Sequence, residues 1–324
     1  MTDRPNILMI APMPAGVIDA LDDAFTLHRL WLEADKDRFL RETGPRIRGL
    51  AASTLAGPLT GDVLDRLPAL EVIANFGVGY DNIDAVEAAR RGVIVTNTPG
   101  VLDDEVADLT IGLLLATIRQ IPQAEQHVRQ CRWLGGPFPL SPTLRGRRIG
   151  IVGMGQIGQA IAHRLEGFGV GIAYHSRRAA DGVPYDYHPT LLGLAEASNV
   201  LIVIVPGTPA THHMIDKPVL EALGRDGVLI NVARGSVVDQ DALIAALASG
   251  TILSAGLDVY ADEPRVPQAL IDMPQVVLLP HIGSASVHTR DAMGALVVEN
   301  LVRWFGERRP LTPVAESAPL VKGT

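Results

Sequence analysis

Three polar side chains that could act together in proton transfer lie far apart in the sequence, each just after a short apolar run. They are Arg234, Glu263 and His281. Because parallel strands bring their carboxyl ends to one edge of a sheet, where ligands bind, we expect the three to meet there. A guanidinium can hold a carboxylate and a carbonyl oxygen, and an imidazole can protonate that oxygen as hydride arrives. The pattern indicates reduction of a 2-oxo acid.

Glu263 has a supporting role in this hypothesis. A carboxylate beside an imidazole favours its charged form and holds the ring in one orientation. Each of the three residues also has an ordinary structural explanation when taken alone. Arg234 could cap a turn, Glu263 could be a solvated loop acid, and His281 could be a satisfied buried histidine.

A glycine-rich segment between a predicted strand and a predicted helix indicates a dinucleotide site. Gly153 permits a tight turn, Gly155 lets backbone approach a pyrophosphate, and Gly158 allows close packing of helix on strand. The amino end of the following helix would face the anion. The predicted contacts are Gly153, Gly155, Gln156, Ile157 and Gly158. A glycine-rich turn that binds nothing is the alternative.

The second predicted strand of this unit favours NADP(H) over NAD(H). NAD-preferring sites place an acidic residue about 20 residues after the glycine turn, to bind the ribose 2′-hydroxyl. Here the strand runs instead into Ser176, Arg177 and Arg178. A hydroxyl and two guanidiniums can bind a 2′-phosphate, although NAD(H) stays possible. The alternative is that both arginines are solvated surface charges.

Composition limits the classes of function. With 324 residues the chain is long enough for two domains. Its 28 basic and 36 acidic residues give a net charge of −8, and it has no run of basic residues. No nucleic-acid partner is therefore expected. Apolar runs fall short of the ~20 residues of a membrane span, and no secretory signal is visible, which predicts a cytoplasmic protein. The single Cys131 excludes an internal disulfide, and no metal-ligand pattern occurs.

Short apolar runs alternate with helical segments, which predicts an α/β fold with parallel sheets. A helix over 103–120 has acidic residues in its first turn and is apolar nearly all round, so we expect it to contact a second copy in a homodimer. A last helix over 291–305 should pack back on the first domain. The predicted strands are 7–11, 49–52, 71–75 and 93–96, then 148–152, 171–174, 200–205, 228–232, 255–259 and 276–279.

Three segments resemble signatures of the D-isomer-specific 2-hydroxyacid dehydrogenase family: Asn231–Asp239, Gly256–Pro264 and Pro280–Ser284. The resemblance covers nearly the whole chain. It implies that Arg234, Glu263 and His281 are the catalytic set and that Asp258 holds the nicotinamide carboxamide. Further coenzyme contacts that it implies are Val205, Pro206, Thr211, Val232, Ala233, His281 and Gly283.

The segment Asn75–Asp84 resembles the substrate loop of the same family. In that loop the backbone N–H groups of Val78 and Gly79 receive the substrate carboxylate, and successive amides of a glycine-rich turn do form anion nests. A plain tight turn before a helix is the alternative, and Asp81 and Asp84 are expected to cap that helix. The predicted substrate contacts are Leu55, Val78, Gly79, Arg234 and His281.

The resemblance further implies a Rossmann-type domain, residues 100–285 with the linking and dimerising helix 103–120, inserted in a smaller flavodoxin-like α/β substrate domain, residues 1–99 and 286–324. It is nearest to the branch of glyoxylate/hydroxypyruvate and hydroxyphenylpyruvate reductases. Reduction of a small 2-oxo acid with NADPH is the expected activity. The alternatives are an aromatic 2-oxo acid substrate and a dinucleotide-sensing regulator without turnover. Trp133 either enters the neighbouring site of a dimer or is a surface anchor.

Overall fold

The computed structural model describes residues 4–53 and 57–321 and divides the chain into two compact units. Unit 1 contains the residues up to Leu102 and those from Ser286 onward, and unit 2 is Asp103–Ala285. Leu55, one of the predicted substrate contacts, lies outside the described residues.

Unit 1 is built on a sheet of five parallel strands in the order β2-β1-β3-β4-β5. In this doubly wound order, ligands bind outside the carboxyl ends of the strands. The sequence prediction missed β2, which is an edge strand with the polar sequence Thr-Leu-His-Arg and little burial, so it lacks an apolar run. The strands are β1 (Asn6–Met9), β2 (Thr26–Arg29), β3 (Ile47–Ser53), β4 (Val72–Phe76) and β5 (Ile94–Thr96).

Helices of unit 1 connect these strands. The cap predicted for Asp84 is confirmed, since its carboxylate accepts a hydrogen bond of 2.9 Å from the Glu87 N–H and so satisfies a free donor of the first turn. Asp35 caps the second helix in the same way. The helices are α1 (Ala15–Ala24), α2 (Lys36–Thr43), α3 (Gly61–Leu64) and α4 (Ala85–Arg90).

Unit 2 contains a parallel sheet of seven strands in the order β12-β11-β10-β9-β6-β7-β8. The prediction of six strands was wrong because β8 has only two residues, too few for a hydrophobic pattern. Alternate residues of β9 enter two different cores, so this strand is buried on both faces, as parallel strands are. The strands are β6 (Arg148–Val152), β7 (Gly171–His175), β8 (Asp186–Tyr187), β9 (Val200–Val203), β10 (Val228–Asn231), β11 (Ser254–Leu257) and β12 (Val276–Leu278).

The first helix of unit 2 is α5 (Asp103–Arg119), with Asp103, Asp104 and Glu105 in its first turn. It packs on α7 and against β10, β11 and β12, so much of its apolar surface is covered inside its own unit. The remaining helices are α6 (Ile121–Arg129), α7 (Gln156–Glu166), α8 (Leu191–Ala197), α9 (Lys217–Leu223), α10 (Gln240–Ser249) and α11 (Gln268–Ile271).

The chain ends in unit 1 with α12 (Val287–Glu307) and α13 (Ala318–Val321). Helix α12 packs against β4 and α1, as the expected return to the first sheet required. It begins four residues before the predicted start, because Ser286 caps it by accepting a hydrogen bond from the Thr289 N–H. At its other end the fully buried Asn300 accepts from the Leu311 and Thr312 N–H groups and holds the following turn.

Within residues 4–53 and 57–321, no helix combines the length and the apolar character that crossing a bilayer requires. The same residues contain no cluster of three or more His, Cys, Asp or Glu side chains that could hold a metal ion. Cys131 is a free, exposed thiol.

Candidate active site

His281 and Glu263 form a hydrogen-bonded pair at the carboxyl ends of β11 and β12. The Nδ1 atom of His281 lies 2.6 Å from Oε2 of Glu263, although 18 residues separate them in the sequence. The side chains remain 39% and 34% exposed, so the pair is held by the fold yet reachable by a small molecule. The other carboxylate oxygen accepts a hydrogen bond of 3.0 Å from the Tyr260 N–H, which orients Glu263 further.

Glu263 is ionised in this setting. Burial works to raise its pKa, but the hydrogen bond from His281, the positive charges of His281 and Arg234 and the Tyr260 N–H outweigh it, and the pKa lies below its usual range. An ionised Glu263 accepts the Nδ1 proton of His281, which leaves Nε2 as the nitrogen that can exchange a proton with a substrate.

Asp258 holds the turn that carries His281. His281 adopts the left-handed backbone conformation, with φ of 54°, which is uncommon for residues other than glycine. The next two N–H groups, of Ile282 and Gly283, donate to the two oxygens of Asp258 at 2.7 and 2.8 Å. Asp258 is 1% exposed, and burial raises its pKa although these two donors oppose the rise. Both oxygens, therefore, already support the histidine turn.

Tyr260 ties the ends of the same two strands together. Its hydroxyl donates to the Leu279 carbonyl at 2.9 Å, and the Leu279 N–H donates to the Leu257 carbonyl at 2.8 Å. Burial raises the pKa of Tyr260 to about 12, so the donor keeps its proton. The distance between the strand ends that carry Glu263 and His281 is thus set by hydrogen bonds.

Arg234 lies in a turn after β10 that Asn231 closes. The side chain of Asn231 accepts from the Ala233 N–H at 3.1 Å and donates to the Arg234 carbonyl at 3.1 Å. The next residue, Gly235, packs directly on the backbone of Tyr260, where an added Cβ atom would come within 1.8 Å of the carbonyl carbon. Only glycine allows this contact, which brings the Arg234 turn beside the segment that leads to Glu263.

The turn between β6 and α7 fits a dinucleotide phosphate. Gly153 has φ of 106°, and a Cβ atom on Gly158 would lie 2.1 Å from the Gly153 carbonyl oxygen, so both positions require glycine. At Gly155 no atom lies within 4 Å of an added Cβ, and open space remains where a pyrophosphate would approach. Gln156 is exposed and Ile157 half-buried at the start of α7, whose amino end favours an anion.

The loop after β7 presents two arginines to solvent. Arg177 and Arg178 are exposed, and neither forms an ion pair with any residue that the structure describes. The Ser176 hydroxyl donates to the Arg178 carbonyl at 2.5 Å and shapes the turn between them. Tyr187 of β8 donates to the Ser176 carbonyl at 3.3 Å and anchors the loop. Two uncompensated guanidiniums at this strand end can bind a phosphate.

The remaining predicted coenzyme contacts follow β9 and β10. Thr211 closes the loop after β9, since its hydroxyl donates to the Pro206 carbonyl at 2.6 Å and accepts from the Thr208 N–H at 2.9 Å. Val205 is half-buried and Pro206 exposed, whereas Val232 and Ala233 are buried at the end of β10. With Gly283, these residues line the carboxyl edge of the sheet of unit 2.

In unit 1, carbonyl groups of the loop after β4 accept hydrogen bonds from side chains, whereas two N–H groups of the loop have no partner among the described residues. Asn75 donates to the carbonyls of Gly77 and Gly79 at 3.1 and 2.9 Å, and Asn97 donates to the Val78 carbonyl at 2.9 Å. Among the residues that the structure describes, the N–H groups of Val78 and Gly79 have no partner. Two adjacent free amides in a glycine-rich turn form a place for an anion.

Sequence reasoning missed the residues that hold these site residues in place. Asn75 and Asn97 shape the loop of unit 1, and Gly235 permits the contact of the Arg234 turn. Asn75 is 1% exposed at the end of a strand and precedes a glycine-containing turn, and such a buried asparagine is a detectable sign of backbone bonding. The partner of Asn97 lies 19 residues away, so no local pattern could reveal it.

The fold and the site define a dinucleotide-dependent oxidoreductase, and comparisons with known proteins agree. The family model for the D-isomer specific 2-hydroxyacid dehydrogenase NAD binding domain matches residues 111–283. The chain is 43% identical to a hydroxyphenylpyruvate reductase of Plectranthus scutellarioides and 42% identical to glyoxylate/hydroxypyruvate reductase A of Arabidopsis thaliana, in each case over 95% of this chain and 98% of the relative.

A solved structure supports the same assignment. The NADPH-dependent glyoxylate/hydroxypyruvate reductase of Sinorhizobium meliloti, in complex with NADP and malonate, matches with a TM-score of 0.91 and 52% identity, over 97% of this chain and 98% of that chain. The present chain belongs to the D-isomer specific 2-hydroxyacid dehydrogenase family. The family predicted from the three signature segments is confirmed.

Proposed function

We propose that this protein reduces a small 2-oxo acid of the glyoxylate or hydroxypyruvate type to the D-2-hydroxy acid, with NADPH as the reductant. The observation that carries the proposal is the His281–Glu263 pair at 2.6 Å, at the edge of a sheet whose first turn fits a dinucleotide phosphate. Relatives that are similar over nearly their whole length are reductases of such acids.

His281 acts as the proton donor in this proposal. When bound, the coenzyme supplies the hydride that the carbonyl carbon receives. His281, held through Nδ1 by ionised Glu263, gives the proton on Nε2 to the carbonyl oxygen and returns to the neutral imidazole. Glu263 accepts the Nδ1 proton throughout this transfer and fixes the ring orientation. Arg234 binds the substrate carboxylate and polarises the carbonyl group.

Binding groups are proposed for both units. In unit 2, the turn from Gly153 to Gly158 holds the pyrophosphate, and Ser176, Arg177 and Arg178 hold the 2′-phosphate of NADPH. In unit 1, the free N–H groups of Val78 and Gly79 receive a carboxylate. Asp258 stays a proposed coenzyme contact, although its oxygens already accept the Ile282 and Gly283 N–H groups.

The test is a kinetic screen of the purified protein, in which NADPH oxidation is followed at 340 nm with a panel of 2-oxo acids. We expect turnover with glyoxylate and hydroxypyruvate and a lower KM for NADPH than for NADH. Coenzyme binding without turnover of any acid in the panel would favour a regulatory protein over an enzyme.

A second substrate class is aromatic. The relative with 43% identity is a hydroxyphenylpyruvate reductase, which favours a comparison of hydroxyphenylpyruvate with glyoxylate in the same assay. Phe76 is 6% exposed at the end of β4 and has little free surface for an aromatic substrate. A kcat/KM for hydroxyphenylpyruvate above that for glyoxylate and hydroxypyruvate would assign the enzyme to the aromatic acids.

We further propose that the protein is a homodimer. Large apolar side chains are exposed on α6 and in the segment that follows it, with Trp133 at 67%, Leu134 at 91% and Leu140 fully exposed. Several large apolar side chains exposed within one short segment favour a surface that another protein molecule covers. Light scattering after gel filtration should give twice the mass of one chain, and Leu134→Glu should lower it. A wild-type mass equal to one chain contradicts the dimer.

The cytoplasm is the proposed location. Each turnover consumes one NADPH, so the enzyme needs a compartment in which that coenzyme is regenerated. Fractionation of the source cells with an antibody against the protein tests this, and recovery outside the cytoplasmic fraction contradicts it.

A further inference from the structure

Arg290 is a half-buried cation in the first turn of α12, within unit 1. Its guanidinium carbon lies 5.5 Å from the centroid of the Phe76 ring, in the geometry of a cation–π contact. One helical turn later, a Cβ atom on Gly294 would lie 3.8 Å from the same ring. The side chain of Phe76 therefore packs beneath this face of α12, and Arg290 covers it.

Within the part of the chain that the structure describes, Arg290 lacks the carboxylate partner that several other arginines have. Arg91 pairs with Asp65 and Glu87, and Arg48 pairs with Glu71. No Asp or Glu of residues 4–53 or 57–321 forms an ion pair with Arg290. Burial lowers its pKa below the usual range, and no neighbouring charge offsets this effect. An arginine nevertheless stays protonated at neutral pH.

A half-buried charge without a counter-ion is costly, and an apolar side chain could cover Phe76 without that cost. The position explains why a cation is useful here. Phe76 is the last residue of β4, and the loop with the free N–H groups of Val78 and Gly79 follows directly. Arg290 therefore packs on the residue that leads directly into the loop with these amides.

We propose that Arg290 is an additional substrate-binding residue, whose guanidinium attracts and binds the carboxylate of the 2-oxo acid beside the Val78–Gly79 loop. This inference rests on the proposed function. The carboxylate becomes the missing counter-ion of Arg290, and the desolvation cost already present in the free protein strengthens the charge-assisted bond. Phe76 keeps the guanidinium in place, because a cation over a ring face has one favoured position.

The experiment compares Arg290→Met, Arg290→Lys and the wild type. For R290M, which keeps apolar cover over Phe76, we expect the KM for glyoxylate to rise about 10- to 100-fold, the range for loss of a hydrogen-bonded charge. The kcat and the KM for NADPH should change less than about threefold. R290K, which keeps the charge, should fall between the other two. Arg303→Met, on the same helix but paired with Glu299, is the control.

A second measurement separates this proposal from the proposed function. Oxamate, an unreactive 2-oxo acid analogue, is titrated by calorimetry into wild type and R290M with NADPH present. Weaker oxamate binding by R290M supports the proposal even if no turnover substrate is found. Equal oxamate affinity, or parallel losses of kcat, NADPH affinity and thermal stability in R290M, overturns it and leaves Arg290 a packing residue.

Discussion

The two units present chemistry in different ways at the carboxyl edges of their sheets. Unit 2 presents side chains, since Arg234, Glu263 and His281 each follow a strand and the last two lie 2.6 Å apart. Unit 1 presents backbone, since Asn75 and Asn97 bind the carbonyls of the loop after β4, while the Val78 and Gly79 N–H groups have no partner among residues 4–53 and 57–321. Both edges follow from the same parallel-sheet rule.

The difference teaches that recognition can be built from backbone groups, whereas the proton-transfer step is built from side chains. Proton transfer needs a group that can give up and regain a proton, which a side chain such as an imidazole supplies. Binding a carboxylate needs fixed N–H donors, which any backbone supplies when its loop is held in shape. Loss of the side chain of His281 or Glu263 in unit 2 should therefore lower turnover, whereas loss of a loop support in unit 1 should lower substrate affinity.

The largest effect is expected for His281→Ala. Without the imidazole no group donates the proton, and kcat should fall at least about 100-fold, the usual scale for a lost general acid, while the KM for NADPH stays nearly constant. Steady-state kinetics at 340 nm measures both. His163→Ala, an 81% exposed histidine on α7, is the control. Near-normal turnover of H281A would mean that another group is the proton donor.

Glu263→Gln should lower kcat roughly 10- to 100-fold, because the imidazole remains but loses the carboxylate that accepts its Nδ1 proton and orients the ring. A matched control is Glu299→Gln, which removes a surface ion pair with Arg303. If E263Q turns over as fast as the wild type, the pair is structural.

The same variant has a pH signature. The pKa of Glu263 lies below its ordinary value of 4.5, through the hydrogen bond and charges that overcome burial. Its stabilising contribution is therefore present above pH 4.5 and is lost as the pH falls through the lowered pKa. The melting temperature of the wild type should exceed that of E263Q at pH 7, and the gap should narrow below pH 4.5. A gap that widens in acid contradicts this sign.

Replacement of Arg177 and Arg178 by glutamine tests the coenzyme side of unit 2. Two charge-assisted contacts with a 2′-phosphate are lost, so the KM for NADPH should rise about 10-fold or more and that for NADH little. Arg225→Gln, an exposed arginine at the opposite ends of the strands, is the control. Equal effects on both coenzymes would show that these arginines do not bind the 2′-phosphate.

The smallest effect is expected in unit 1, for Asn97→Ala. Removal of the hydrogen bond to the Val78 carbonyl loosens the loop, and the KM for the 2-oxo acid should rise about fivefold, with kcat within a factor of two, as for one neutral hydrogen bond. Asn6→Ala, which removes a side-chain bond to His28 at the start of β1, is the control. A fall in kcat of N97A without a change in the KM for the 2-oxo acid would contradict the proposal that unit 1 contributes to substrate binding rather than to turnover.

Much of the fold was predictable because the buried strands and helices appear in the sequence as recurring apolar runs. Apolar runs and caps predicted four strands of unit 1, six of unit 2 and the helix α5. They did not predict β2 and β8, because a polar edge strand and a strand of two residues have no apolar run. The family signatures located the catalytic candidates. The support residues Asn97 and Gly235 were not predictable, because their partners are distant in sequence.

The sequence by itself determined which chemistry is available: an acid, a cation and a phosphate turn, each in its own segment and each marked by residue type. Only the tertiary structure decided that Glu263 accepts from Nδ1 of His281, that Asp258 holds the histidine turn, and that Arg290 lies over the Phe76 ring. The reason is that residue type sets what a group can donate or accept, whereas its partner depends on contacts between strands and helices far apart in the chain.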